Sequence, residues 1–120
     1  MLEDTQVAPV DPVDTDETYV ELAVEVFSML ADATRVRLVL ALGGGEQSVN
    51  SLAERVSKSP TAVSQHLAKL RMARMVSTRQ DGNRVFYRLA NDHASKLVRD
   101  AIHQAEHSVG GTIRHHHESI

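Results

Sequence analysis

The chain has 120 residues, a formal charge of −3 and no cysteine. That length sets one domain with a modest core, and the missing thiols exclude disulfides and thiolate metal sites and fit a reducing cytoplasm. No run of about 18 apolar residues is present and the start is acidic rather than basic-then-apolar, so neither a membrane span nor a secretory leader is expected.

Residues 1–16 hold Pro9 and Pro12 among acidic side chains without periodicity, which predicts a disordered tail. A helix follows from about Glu17 to Ala31, with Val20, Val24, Phe27 and Leu30 on one side. A second runs from about Thr34 to Leu42, with Val36, Leu38, Val39 and Leu42 apolar, and Gly43-Gly44-Gly45 ends it. Val49, Leu52, Ala53 and Val56 then mark a short amphipathic helix. Ser57-Lys58-Ser59-Pro60 stops it and starts the next, since Ser59 suits an N-cap and Pro60 a first helical position. That helix runs from Pro60 to about Ala73 and buries Val63, Leu67 and Leu70. Met75 to Gln80 and Arg84 to Leu89 are strand-like runs joined by Asp81-Gly82-Asn83, a hairpin signal. The last helix starts at Asn91 or Asp92 and reaches His107, and Gly110-Gly111 breaks it before a tail ending His115-His116-His117-Glu118-Ser119-Ile120.

Helix, tight turn, helix and hairpin in that order describe a winged helix-turn-helix: a mainly α fold with a β-hairpin wing whose usual work is reading DNA. With only two Phe, two Tyr and no Trp, the core must come from Leu, Val, Ala and Met, and a homodimer is expected to complete it. The domain plan is an acidic tail at 1–16, the winged dimer domain at 17–107 and a His-rich tail at 108–120. The face of the second motif helix opposite its apolar stripe shows Thr61, Ser64, Gln65, His66 and Lys69, short or polar groups suited to base edges and phosphates. Gln65 is the first choice for adenine, with Thr61 and Ser64 in support, and Arg79 and Arg84 on the wing would hold phosphate or enter the minor groove. The net negative charge is no objection. Nine acidic and no basic residues lie between Met1 and Asp32, whereas eight basic residues and only Asp81 lie between Arg55 and Leu89. The positive field falls on the motif.

Six of the seven histidines lie beyond the hairpin, at 93, 103, 107, 115, 116 and 117. Imidazole and carboxylate donors without thiolates suit Zn, Ni and Co. His103, Glu106 and His107 share one broad helix face; His93 points the same way but lies about 21 Å along the axis, so one chain cannot close a site between them. Two such helices antiparallel across a two-fold axis would bring His93 of one chain opposite Glu106 and His107 of the other, with Leu97, Ala101 and Val98 as an apolar seam. The tail histidines follow a Gly-Gly hinge and can fold back onto the same place. Five or six ligands would favour Ni(II) or Co(II), and four Zn(II).

The segments Phe27-Ser28-Met29-Leu30-Ala31-Asp32-Ala33-Thr34-Arg35, Ser64-Gln65-His66-Leu67-Ala68-Lys69-Leu70 and Val85-Phe86-Tyr87-Arg88-Leu89, with the last helix, resemble the ArsR/SmtB family of metal-responsive winged-helix repressors. The resemblance spans about residues 19–117. It implies a dimer that binds operator DNA when metal-free and releases it when metal binds, with metal-efflux genes as targets. The family's thiolate site has no counterpart, because Val49-Asn50-Ser51-Leu52 contains no Cys. Against the last-helix site of the family's zinc sensors, His93 and His107 match while Asn91 and Gln104 replace ligands. The pattern is closer to the family's mycobacterial nickel/cobalt branch, which implies His93, Glu106, His107, His115 and His116 as ligands and leaves out His103 and His117. The expected function is therefore a cytoplasmic metal-sensing repressor acting on double-stranded operator DNA. The alternatives are a winged-helix regulator answering a non-metal signal and a His-rich metal buffer. An enzyme is not expected, since no nucleophile–base pair or metal-plus-base pattern is present.

Overall fold

The computed structural model describes residues 16–110. The expected disorder before residue 16 and the tail histidines His115, His116 and His117 lie outside the described residues. The elements are α1 (Glu17–Leu30), α2 (Ala33–Leu42), β1 (Gln47–Ser48), α3 (Val49–Val56), α4 (Pro60–Met72), β2 (Val76–Asp81), β3 (Arg84–Leu89) and α5 (His93–Val109).

Short polar side chains start the helices. Oδ1 of Asp16 accepts from the Thr18 amide at 2.8 Å, and Oδ1 of Asp32 from the Arg35 amide at 2.9 Å. The hydroxyl of Ser48 accepts from Ser51 at 3.2 Å and that of Ser59 from Ala62 at 3.1 Å. Each satisfies an amide that a helix start leaves without an intrahelical partner. Before α5 the work falls to Asn91, whose Oδ1 accepts from the His93 amide at 2.9 Å, while Asp92 makes no side-chain cap bond. Ser57 closes α3 in the left-handed region at φ 57°. This turns the chain between the two motif helices.

β2 and β3 pair antiparallel from Val76↔Leu89 to Asp81↔Arg84, so Gly82-Asn83 alone forms the loop. Gly82 sits at φ 64°, the positive value that tight hairpin loops demand of their first residue. The third strand, β1, was not expected. Gln47 and Ser48 pair antiparallel with Tyr87 and Phe86, giving the order β1-β3-β2. A two-residue polar strand has no periodicity to read; it is made by the sheet edge that receives it.

The core gathers one stripe from each of α2, α3 and α4, and Leu38, Val39, Leu52, Val63, Leu67 and Leu70 are fully buried. Met75, Val76, Ala94 and Val98 close it from the hairpin and α5. Val98 is thus 4 % exposed and belongs to the protomer's interior, not to the seam expected between two last helices. By contrast α1 buries no side chain completely, and Val20, Val24 and Phe27, though on an apolar side, remain exposed.

Candidate nucleic-acid interface and metal-ligating residues

The capped, Pro-initiated α4 turns Val63, Leu67 and Leu70 inward, which leaves Thr61, Ser64, Gln65 and Lys69 exposed on the other side. These are the small hydroxyls, amide and ammonium expected there from the sequence. His66 does not join them. It is half-buried, and its Nδ1 lies 3.1 Å from Nη1 of Arg35 and 3.9 Å from Oδ1 of Asp32, both at the start of α2.

The wing is braced midway along β2. Arg79 donates through Nε and Nη2 to the two carboxylate oxygens of Glu46 at 2.9 and 2.7 Å. The guanidinium carbons of Arg79 and Arg84 each lie 5.0 Å from the Phe86 ring centroid. Hydrogen bonding from Arg79 holds the Glu46 carboxyl below the ordinary carboxylate range, and the same bond raises Arg79. Arg79 therefore stands as half of a fork-to-fork ion pair, whereas Arg84 keeps only its contact with the ring among the described residues. Nε of Arg88 donates to Ser77 Oγ across the hairpin at 3.3 Å.

On α5, His93 opens the helix with 81 % of its side chain exposed, and His103, Glu106 and His107 are exposed near its other end. Glu106 and His107 lie 13 and 14 residues from His93, about 20 Å of helix. Among the described residues, no three His, Asp or Glu side chains come together to hold a metal ion within one protomer. Nδ1 of His93 lies 3.9 Å from Asp92, whose carboxylate takes a hydrogen bond from Lys96 at 3.1 Å and is held low by it. The donor types fit a borderline divalent cation, and the described residues of one protomer do not close a site around it. Beside these residues, Phe27, Leu30, Leu97, Ala101, Ile102 and Ala105 line an apolar groove of about 340 Å³ between α1 and α5.

Sequence reasoning missed Arg35, Asp32 and Glu46. Asp32 carried a local signal, an Asp before a helix start. The partners of Arg35 and Glu46 lie 31 and 33 residues away, and nothing in their neighbourhood announces them.

Residues 32–78 match the family model described as bacterial regulatory protein, arsR family. The chain is similar to the HTH-type transcriptional regulator KmtR of Mycobacterium tuberculosis, 58 % identical over 106 residues covering 88 % of this chain and 80 % of that one. It is also similar to the nodulation protein NolR of Rhizobium meliloti, 36 % identical over 65 % of this chain and 64 % of that one. Among solved structures it is similar to the AntR antimony-specific transcriptional repressor, with a TM-score of 0.72 and 27 % identity over 90 % of this chain and 96 % of that one. These relatives are regulators, not enzymes.

Proposed function

The chain belongs to the arsR family of bacterial regulatory proteins, and on that premise we propose that it is a cytoplasmic metal-sensing transcriptional repressor. It acts as a homodimer that holds operator DNA when metal-free and dissociates on binding Ni(II)/Co(II) or Zn(II), so that metal efflux or homeostasis genes are expressed. The observation that carries the reading is the division of labour along one protomer. An exposed polar helix face and basic wing lie at one place, and exposed imidazole and carboxylate donors, which the described residues of one protomer do not bring together, line α5.

In this reading α4 of each protomer enters a major groove, with Gln65 reading adenine and Thr61, Ser64 and Lys69 contacting neighbouring bases and phosphates. Arg84 holds phosphate from the wing; Arg79 does so only when Glu46 releases it. His93, Glu106 and His107 on α5, joined by His115 and His116, are the residues that would hold the metal ion, with the dimer supplying both ends of the helix. The apolar groove between α1 and α5 is the face that a second copy covers. Shifting the operator from nearly full to nearly empty requires metal to favour the released state by about 5.5 kcal/mol.

Kinship with NolR, a nodulation protein, favours a second reading: the same winged dimer answering a signal other than a metal. Fluorescence anisotropy on DNA from upstream of the protein's own gene separates the two, with Zn(II), Ni(II) and Co(II) titrated separately. Wild type is compared with His93→Ala and with a chain ended after Gly111. Release by Ni(II) or Co(II) that both variants abolish is the expected outcome. Release by Zn(II) that survives truncation places the ligands within the helices, and binding that no metal alters establishes the second reading.

A further inference from the structure

One guanidinium ties the recognition helix to the corner between α1 and α2. Nε of Arg35 donates to the Met29 carbonyl at the end of α1 at 2.6 Å, and its Nη1 faces Nδ1 of His66 on α4 at 3.1 Å. A guanidinium has only donors, so Nδ1 must accept, and the ring proton of His66 sits on Nε2. Asp32 flanks the pair: its Oδ1 accepts from the Arg35 amide at 2.9 Å and lies 3.9 Å from Nδ1. The carboxylate steadies the cation without competing for its place on the ring. Arg35 and His66 are both half-buried, so water competes weakly for these bonds.

Val63, Leu67 and Leu70 hold α4 in the core, but apolar contact is non-directional. A small rotation of α4 about its axis leaves that burial nearly unchanged. A charge-assisted hydrogen bond is directional and resists it. His66 adjoins Gln65, so whatever fixes the ring fixes the angle of the residues presented to DNA.

We propose that the Arg35–His66 bridge is the device that sets the angle of α4 against the α1–α2 corner, and that His66 acts on DNA through Arg35 and touches no base. The inference rests on the DNA-binding reading. Because Arg35 also grips the last turn of α1, the proposed dimer helix, the bridge carries the placement of the protomers to the surface that reads the operator.

The test is a double-mutant cycle on the metal-free full chain, read by anisotropy on the upstream duplex, with thermal melts as the control for folding. His66→Ala and Arg35→Met each weaken binding about tenfold, equivalent to about 1.4 kcal/mol. The double variant is no weaker than either. His66→Asn, which keeps an acceptor near the position of Nδ1, retains most of the affinity. Additive losses overturn the bridge, as does an Arg35→Met chain that binds like wild type while His66→Ala loses discrimination at one base pair. If either single variant fails to fold, His66→Phe and Arg35→Leu, which also remove the acceptor and the donor, take their places in the cycle, and additivity has the same meaning. Ring ¹⁵N NMR of the wild type reads the bridge without DNA: an Nε2–H tautomer is expected for His66, and an Nδ1–H tautomer overturns the proposal. A wild type that binds no duplex ends the DNA reading and the positioning role together, while the NMR result still reports on the bridge itself.

Discussion

Asp32 shows how much one short side chain can determine. It caps α2, lies beside Arg35 and faces His66. The Arg35 amide bond, more than the nearby cations, holds its carboxyl below the ordinary carboxylate value. A group whose value falls on folding contributes stability above its unfolded value, about 3.9, and loses that contribution as pH drops through the folded value. The urea midpoint of the wild type should therefore fall more steeply between pH 6 and pH 3 than that of Asp32→Asn, which keeps the cap but cannot titrate. Asp32→Ala removes the cap at every pH and should lower stability by about 1 kcal/mol. The cap was legible, since an Asp ahead of an apolar-periodic segment is a local signal. The second duty of Asp32 was not, because His66 reaches it only after α3 and the turn have been folded between them.

Within α4 the two faces make opposite predictions. Leu67 is fully buried, and Leu67→Ala should cost about 2–5 kcal/mol of stability through lost burial and the cavity left behind. Gln65 is exposed, and Gln65→Ala should leave the urea midpoint within about 0.5 kcal/mol of wild type. Its operator affinity should nonetheless fall by about 1–3 kcal/mol, mostly at one base pair. Denaturation curves beside anisotropy on single-base-changed duplexes check both. The period of the apolar residues disclosed this helix and its inward stripe, and Ser59-Pro60 disclosed where it begins. It did not disclose that His66, half-buried between the two faces, lies against Arg35. The wing repeats the pattern: alternation and Gly82-Asn83 disclosed the hairpin, whereas β1 and the Glu46–Arg79 pair depend on a strand edge meeting a distant loop.

Among the described residues, the protomer leaves an apolar groove open between α1 and α5. Phe27 is 58 % exposed and Leu97 37 %, and both line the groove between these helices. Large apolar side chains gathered in one open groove mark a surface meant for association. Glu at both positions, Phe27→Glu with Leu97→Glu, should yield a folded monomer in sedimentation equilibrium, since neither side chain supports the buried core. That monomer should bind the upstream duplex weakly, because two half-sites read together need both recognition helices. A double variant that remains dimeric would move the interface elsewhere.

The sequence by itself determined what depends on neighbours in the chain: the cap at Ser59, the stop after α3, the hairpin loop, the apolar stripes and the segregation of charge. Each follows from a backbone preference or a period of 2 or 3.6 residues, which one stretch of chain carries alone. The tertiary structure decided where side chains between two faces would go: His66 to Arg35, Arg79 to Glu46 and Val98 to the interior. Those outcomes depend on which elements lie opposite one another once the core has closed, and helical or strand periodicity carries no information about a partner some 30 residues away.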